Sequence, residues 1–449
     1  MPAEYAGEAA VRALLEGLER HCSAYCLLGA CDDLPAAVHS DIDFMVGQED
    51  FDHMPQILAA VGSAAGFRLV QEIEHEATAR RFVLAQSQPD KVLYLHPDAA
   101  SDYRRKGRRW LRADATLKRR RRHAHGFWVA SAADNFHYYL VKSIEKDRLE
   151  ESQARELGQL FAEDPERCAQ ILEQRLSRES AQRIALACRS GDWRGVFASA
   201  TALGEELMVR APRYPLRDRL AELGKRVRRW RNPTGMWIAV LGPDGSGKST
   251  VIEKLEAALA PGFRRTVRFH LRPRLLPGTG AAEAVSSTDP HGQQPRGVAA
   301  STLKLVYFWA DYVLGYWGRV RPLLVRHSLV IFDRYYCDLL IDPRRFRSRG
   351  PRWLARAVGA MIPMPDLMLI LDAPAEVLQA RKQEVTPEES ARQTQAYREF
   401  AASGAAGGRA VVVNAALDVH EVVRACVEKA LDAMAKRTAR RLHLGTGEP

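Results

Sequence analysis

The sequence contains few cysteines and no long apolar run. Seven cysteines among 449 residues are too sparse for a disulfide framework, so we expect reduced thiols. No stretch reaches the ~18–20 apolar residues that a membrane span requires, because Asp311 interrupts the most apolar segment, 305–317. The first residues show neither a basic leader nor an apolar signal core. We therefore expect a cytoplasmic protein without a transmembrane segment.

The composition also lacks the biases of fibrous and disordered chains. Hydrophobic residues make up 46% and charged residues 27% of the sequence, and no internal repeat is visible, so we expect globular domains. A length of 449 residues predicts two or three of them. The net charge of +11 favours anionic partners, which include nucleotides, phosphosugars, nucleic acid and anionic lipid head groups.

Shifts in the sequence pattern divide the chain into regions. Residues 1–129 mix short β-like runs with helical segments, as an α/β domain does, whereas residues 130–232 show helical spacing without strand signals. Apolar strand-like runs and helical patterns alternate again over 235–434. Residues 435–449 form a basic tail whose end we expect to fray. The predicted order is an α/β domain, a helical connector domain, a second α/β domain and the tail.

A glycine-rich motif, GPDGSGKST at 242–250, follows the apolar run 236–241 and precedes a helical pattern. It satisfies the P-loop pattern in the strand–loop–helix context that the pattern requires. The glycines let successive backbone N–H groups point into one concavity at a helix N-terminus, where phosphate binds. Lys248 can reach the β- and γ-phosphates of ATP, and Ser249 can offer its hydroxyl to Mg²⁺. The nucleotide-binding residues predicted here are Gly242, Asp244, Gly245, Ser246, Gly247, Lys248, Ser249 and Thr250.

Two further strand-like runs end in polar residues. The run 328–333 ends in Asp333 and Arg334, and the carboxyl ends of parallel strands carry the site in open α/β sheets. Asp333 is then placed to hold Mg²⁺ or accept a proton, and Arg334 to grip an acceptor phosphate. After the run 365–372, Arg381 and Arg392 flank a polar stretch. We predict that these two arginines lie on a mobile cover, where they stabilise the transferring phosphoryl group.

These motifs, in this order, resemble the thymidylate kinase family of P-loop nucleoside monophosphate kinases. The resemblance covers 235–434 and implies a three-layer α/β/α fold with a parallel five-stranded sheet, ATP with Mg²⁺, and an arginine-bearing lid. Its acceptor features depart from the family. Phe308 matches the aromatic residue that meets the base, but Tyr312 stands where the family has an arginine, and Arg272 lies in a basic segment, 270–277, that replaces an acidic-glycine loop. We therefore assign Arg272, Phe308, Tyr312 and Arg334 to an acceptor that need not be thymidylate.

The amino-terminal region carries a second carboxylate pattern. Asp41 and Asp43, one residue apart on a predicted strand, project to the same face and can share a pair of Mg²⁺ ions. The pattern resembles the nucleotidyltransferase superfamily, which has a Gly-Ser turn before Asp-hydrophobic-Asp. The resemblance implies a third carboxylate on a later strand, for which Asp98 is the first candidate and Asp102 the second. Ala30 replaces the serine of the turn, so an active transferase, a degenerate or merely binding domain, and coincidence all stay open.

Three functions are compatible with the sequence. The first is an Mg-ATP-dependent phosphotransferase that acts on a nucleoside monophosphate or another phosphorylated or sugar-containing small molecule. In the second, nucleotidyl transfer by the amino-terminal domain is the main reaction. The third is an ATP-gated binding protein that phosphorylates nothing. The basic runs at 118–122 and 225–231 lack regularly interleaved aromatic residues, so we do not expect specific nucleic-acid binding. The acceptor, the pathway and the oligomeric state stay open, and a homodimer is possible.

Overall fold

The residues described by the computed structural model of the chain are 1–38, 40–145, 149–212, 216–276, 297–346, 350–382 and 385–444. They group into two units. The amino-terminal unit consists mainly of Tyr5–Ala85 and Tyr94–Val227, and the carboxy-terminal unit mainly of Arg228–Arg441. The short segments Met1–Glu4 and Gln86–Leu93 group with the carboxy-terminal unit.

Strands dominate the first 129 residues. In chain order the elements are β1 (Ala3–Tyr5), α1 (Glu8–His21), β2 (Tyr25–Leu27), β3 (Ile42–Val46), α2 (Gln48–Ala64), β4 (Arg68–Glu76), β5 (Ala79–Ser87), β6 (Val92–Leu95), β7 (Pro97–Ala100), β8 (Asp102–Arg105), β9 (Arg108–Arg112), α3 (Ala113–Lys118), β10 (Arg121–Arg122) and β11 (Trp128–Val129). In one sheet, β5, β7, β3, β2, β11 and β10 lie side by side in that order, and β4 pairs with β5. Strands β3 and β7 are parallel, with Asp43 opposite Asp98.

Helices follow up to Arg231, as the spacing predicts. They are α4 (Ala132–Glu145), α5 (Glu151–Glu163), α6 (Pro165–Arg175), α7 (Arg178–Ser190), α8 (Arg194–Ala198), α9 (Ala200–Arg210) and α10 (Leu216–Arg231). Phe136 and Leu157 from these helices are fully buried in one hydrophobic core with Cys26 and Met45 from the sheet. The division predicted at 129–130 therefore falls inside the amino-terminal unit, because sheet and helices bury their apolar faces against each other.

The carboxy-terminal unit alternates strands and helices. Its elements are β12 (Met236–Leu241), α11 (Lys248–Leu259), β13 (Arg265–His270), α12 (Val298–Gly315), α13 (Arg321–Val325), β14 (Ser328–Asp333), α14 (Cys337–Ile341), α15 (Arg352–Ala360), β15 (Leu367–Asp372), α16 (Ala375–Arg381), α17 (Pro387–Ala402), β16 (Ala410–Asn414) and α18 (Val419–Leu442). A 3₁₀ turn, Ala260–Gly262, follows α11, and a π-helical turn, Tyr316–Val320, links α12 to α13.

The five strands of this unit form a parallel sheet in the order β13-β14-β12-β15-β16. The predicted parallel five-stranded sheet is thus confirmed. Strands β12, β14 and β15 carry continuous apolar runs because they lie inside the sheet and are buried along almost their whole length. Their carboxyl ends bring the glycine-rich loop 242–250, Asp333 and Asp372 to one edge.

The last helix, α18, runs past the predicted domain end at residue 434 to Leu442, and residues 445–449 of the predicted tail lie outside the described residues. Within the described ranges, no helix combines the length and the apolar character that crossing a bilayer demands.

Candidate functional site

The glycine-rich loop follows β12 and leads into α11, in the conformation that its glycines allow. Gly242, Gly245 and Gly247 all have positive φ, at 143°, 82° and 85°. A Cβ on Gly242 would lie 2.7 Å from the carbonyl oxygen of Leu371, and one on Gly245 would lie 2.8 Å from that of Leu378. Side chains at these two positions would therefore clash with the backbone. Gly247 has open space, and its positive φ permits the turn into the helix.

Lys248 is the first residue of α11, and its side chain folds back over the loop. The Nζ donates hydrogen bonds to the carbonyl oxygens of Gly242 at 2.9 Å and Pro243 at 2.8 Å. Burial, together with Arg334, lowers the pKa of Lys248 to about 7. Nearby carboxylates oppose this shift but do not outweigh it. The amine is thus enclosed among oxygen acceptors at the place where a polyphosphate is predicted to bind.

Asp244 of the loop lies between two arginines. The Nη2 of Arg334 donates to one oxygen of the Asp244 carboxylate, and the Nη1 of Arg345 donates to the other. The Nζ of Lys248 is 3.8 Å from the same carboxylate. Burial would raise the pKa of Asp244, but the surrounding cations hold it well below its usual value. Asp244 is therefore an ionised carboxylate held between two arginines, with the amine of Lys248 nearby.

Arg334 is held from both sides at the end of β14. Its φ is 71°, its backbone N–H donates to the carbonyl oxygen of Val240 at 3.1 Å, and its Nη1 donates to the buried Asp338 at 3.1 Å. Burial works against the charged guanidinium, yet Asp338 and Asp244 raise the pKa of Arg334 above its ordinary value. The side chain therefore keeps its charge in a largely buried position.

Asp333 lies opposite Val240 across the two central strands. Its Oδ1 is buried and has no hydrogen-bond partner among the described residues, while the side chain of Ser249 is exposed at the start of α11. A hydroxyl and a carboxylate oxygen are hard ligands, which fit Mg²⁺. In the described part of the chain, no three acidic, histidine or cysteine side chains cluster as a complete metal site. A magnesium ion here would draw its other ligands from water and substrate phosphates, as Mg²⁺ commonly does.

The predicted acceptor residues Arg272 and Phe308 meet in the structure. The guanidinium of Arg272 lies 4.8 Å from the centre of the Phe308 ring, and its Nη1 donates to Asp311 at 2.9 Å. The Nζ of Lys304 is 5.2 Å from the same ring centre. Tyr312 is buried, and its hydroxyl donates to the carbonyl oxygen of Leu271. Pro277, at the end of the predicted basic segment, lies outside the described residues.

The arginines assigned to the lid bond elsewhere. Arg381 donates to the carbonyl oxygen of Ala415 at 2.8 Å. Arg392 pairs with Glu389, with its Nε 2.9 Å from the carboxylate, and donates to the carbonyl oxygen of Ile341 at 3.1 Å. These bonds do not reach the phosphate loop, and residues 383–384 of the intervening polar stretch lie outside the described residues. The proposed contact of both arginines with the transferring group remains a prediction.

Asp43 and Asp98 lie on neighbouring strands and Asp41 directly precedes the first of them, but Asp41 and Asp43 are paired with cations. Asp41 forms an ion pair with Arg81, and Asp43 accepts a hydrogen bond from the Nζ of Lys142 at 2.7 Å. Burial and the two neighbouring aspartates raise the pKa of Asp98 to about 7. Asp102, the second candidate, is outside this group of bonds, because it accepts from the backbone N–H of Ala113 and pairs with Arg104.

The loop that precedes these carboxylates is tied to helix α4. Gly29, with φ of 91°, donates its backbone N–H to Asn135 Oδ1 at 3.1 Å, and the N–H of Ala30 donates to the Tyr139 hydroxyl at 2.8 Å. Both donors that could face a phosphate are therefore satisfied by side chains of the same unit.

Sequence reasoning did not identify Arg345, Asp338 or Arg81 as partners of the predicted residues. Arg345 lies in a short basic run, 344–347, and an arginine near the Asp-Arg pair is a signal that could have pointed to a second anion contact. Arg81 lies opposite Asp98 in the β5–β7 pairing, and only this register reveals it as a neighbour of the carboxylates.

Comparison with known families supports part of this picture. Residues 240–426 match the family model described as Thymidylate kinase. A comparison of the chain with curated proteins gives no match. The match and the parallel sheet confirm the expected kinase-like character of the carboxy-terminal part, at the level of a nucleotide kinase-type phosphotransferase. The match does not extend to the amino-terminal carboxylates, whose resemblance to nucleotidyltransferases stays a prediction.

Proposed function

We propose that the chain is an Mg-ATP-dependent phosphotransferase whose carboxy-terminal unit transfers the γ-phosphoryl group of ATP to a small, phosphate-bearing acceptor. The observation that carries the proposal is the loop 242–250, which opens α11 beside the buried amine of Lys248 and next to Asp333 and Arg334. Backbone N–H groups at a helix start, a lysine and a carboxylate are the groups that hold a triphosphate and its magnesium ion.

The proposed roles follow from the positions of the side chains. Lys248 would exchange its bonds to loop carbonyls for bonds to the phosphates, which offer negative charge in place of neutral oxygens. Ser249 and Asp333 would hold Mg²⁺, which would supply charge neutralisation at the phosphates. Arg334 would position the acceptor. In the transfer, the bond from the γ-phosphorus to the bridging oxygen breaks, a bond to the acceptor oxygen forms, and ADP leaves.

The acceptor side of the site favours an anionic acceptor, which need not be thymidylate. The Phe308 ring lies close to two cations, Arg272 and Lys304. The hydroxyl of Tyr312 is already bonded to the carbonyl oxygen of Leu271. These cations favour an anionic acceptor, so a nucleoside monophosphate or a phosphorylated sugar fits better than a neutral molecule.

Label transfer tests the proposal. The purified chain is incubated with Mg²⁺ and γ-labelled ATP across pooled nucleotides, phosphosugars and glycolipid precursors, and labelled products are separated. We expect a labelled acceptor with the wild-type chain. We expect the rate of label transfer to fall at least about 100-fold with Lys248→Ala, because this variant lacks the side chain that would place positive charge next to the phosphates. Lys254→Ala, on the same helix and exposed to a greater degree than Lys248, is the matched control and should keep full transfer. Full ATP-dependent transfer by Lys248→Ala would contradict the assignment.

We also retain nucleotidyl transfer by the amino-terminal unit as a second proposal. Its support is the parallel register that sets Asp43 beside Asp98, with Asp41 directly before the strand that carries Asp43. The ion pairs of Asp41 and Asp43 with Arg81 and Lys142 weigh against a pair of metal ions at these carboxylates.

A further inference from the structure

Arg345 and Arg334 converge on one carboxylate in the carboxy-terminal unit. Each arginine donates to a different oxygen of Asp244, and both side chains are largely buried, with 14% and 9% of their surfaces exposed. Two guanidinium groups that share one anion form the geometry by which proteins grip carboxylates and phosphates. The anion in this structure is supplied by the phosphate loop itself.

Each of the two arginines makes a further hydrogen bond besides its bond to Asp244. The Nη1 of Arg334 donates to Asp338, and the backbone N–H of Arg345 donates to Asp342 Oδ1 at 3.1 Å. The bond to Asp338 holds the Arg334 guanidinium, and the bond to Asp342 holds the backbone of Arg345, both independently of Asp244. The site is therefore preorganised for an anion.

One donor of the pair is unused. The Nε of Arg345 is buried and has no hydrogen-bond acceptor among the described residues. A buried N–H without a partner is costly, and Asp244 accepts from the Nη1 of Arg345 but not from its Nε. A terminal phosphate presents three oxygens and up to two negative charges, so it can satisfy a donor that Asp244 leaves unbonded.

We propose that Arg345 is the second arm of the acceptor-phosphate site, and that Asp244 occupies this site as an internal competitor until the acceptor's phosphate displaces it. The inference rests on the proposed phosphotransfer function and extends it to residues that the sequence did not assign to the acceptor. Arg345 would bind the acceptor phosphate opposite Arg334. Release of Asp244 would be a condition for that binding.

The test measures binding of inorganic phosphate to the full chain, saturated with Mg²⁺ and a non-hydrolysable ATP analogue, by ³¹P line broadening at pH 8. We expect Asp244→Asn to bind phosphate at least about tenfold more tightly than wild type, because the competing charge is gone. In the Asp244→Asn background, Arg345→Ala should weaken phosphate binding about 10- to 100-fold, the usual range for a lost hydrogen bond to a charged group. Comparing variants in that background avoids a buried carboxylate left without its partner.

The neighbouring arginine provides a matched control. Arg344 is 74% exposed and lies 3.9 Å from Glu389, so Arg344→Ala in the same background should change phosphate binding by less than about twofold. Equal losses from Arg344→Ala and Arg345→Ala, or no gain from Asp244→Asn, would overturn the proposal. Melting temperatures of all variants check that each protein is folded.

A separate titration with the ATP analogue distinguishes a contact of Arg345 with the acceptor phosphate from a contact with the nucleotide phosphates. If Arg345→Ala weakens binding of the ATP analogue and leaves phosphate binding unchanged, Arg345 contacts the nucleotide and the proposal is wrong. If wild type does not bind the analogue at all, the proposed function fails. Phosphate titrations without nucleotide that compare Lys248→Ala with Lys248→Ala/Arg345→Ala would then still report whether Arg345 forms an anion site.

Discussion

At the scale of single residues, the charge of Lys248 depends on its surroundings. Burial and Arg334 lower its pKa to about 7, so above that pH the neutral amine is favoured over the ammonium form in the nucleotide-free chain. Phosphate oxygens close to Nζ favour the ammonium form and raise the pKa again. The proposed function therefore implies that nucleotide binding above pH 7 is coupled to the capture of a proton.

We predict that binding of a non-hydrolysable ATP analogue with Mg²⁺ at pH 8 takes up close to about one proton per chain. Calorimetry in buffers of different ionisation enthalpy measures this uptake. Lys248→Met, which keeps an unbranched side chain and removes the titrating group, should bind more weakly and without the proton. The same uptake in both proteins would show that another group titrates.

At the scale of elements, one side chain of α12 organises the segment that follows β13. Asp311 has no exposed surface, and it accepts hydrogen bonds from Arg272 Nη1 at 2.9 Å and from the backbone N–H groups of Arg274 and Leu276 at 3.2 and 2.8 Å. A helix carboxylate thus satisfies a stretch of chain without regular structure. This stretch carries the predicted acceptor residue Arg272.

We predict that Asp311→Ala lowers the free energy of unfolding by about 3–5 kcal/mol, because the buried Arg272 loses its counter-ion and two backbone donors lose their acceptor. Urea unfolding followed by circular dichroism measures the change. Leu303→Ala on the same helix, at a side chain 73% exposed, should change the free energy by less than about 0.5 kcal/mol. Similar losses for the two variants would mean that Asp311 does not brace the segment.

The elements themselves were largely predictable, and their side-chain partners were not. Continuous apolar runs at 236–241 and 328–333 predicted buried parallel strands, and the motif at 242–250 predicted the loop between strand and helix, because backbone geometry and burial dictate those residue types. Asp311 was visible only as an interruption of an apolar segment. The partner of Asp244, Arg345, is 101 residues away, and no local pattern specifies a contact at that separation.

At the scale of the whole molecule, the described residues group into two units, and the division predicted at 129–130 falls inside one of them. The strands before residue 129 and the helices after it belong to one core, in which Phe136 is fully buried and packs edge-on against Phe161 at 5.9 Å between ring centres. Periodicity reports the type of each element, but it does not report which apolar faces meet. The amino-terminal unit is expected to unfold as one cooperative body.

We predict that Phe136→Ala destabilises this unit by about 3–5 kcal/mol, the usual cost of truncating a buried aromatic side chain. Hydrogen exchange should then show faster exchange both in the strands β2 and β3 and in the helices α4 and α5. Leu186→Ala, at a helix side chain 66% exposed, serves as the control and should leave both regions protected. Loss of protection in the helices alone would restore the separate connector domain that the sequence predicts.

The shared core also determines how the chain can be divided for recombinant work. A fragment that stops at residue 129 would retain Cys26 and Met45 without the helical surface that covers them. It would expose an apolar face to solvent and be prone to aggregation. A fragment extended to Val227 keeps both sides of that core. Truncations meant to isolate Asp41, Asp43 and Asp98 should therefore end after the helices of the amino-terminal unit, at Val227.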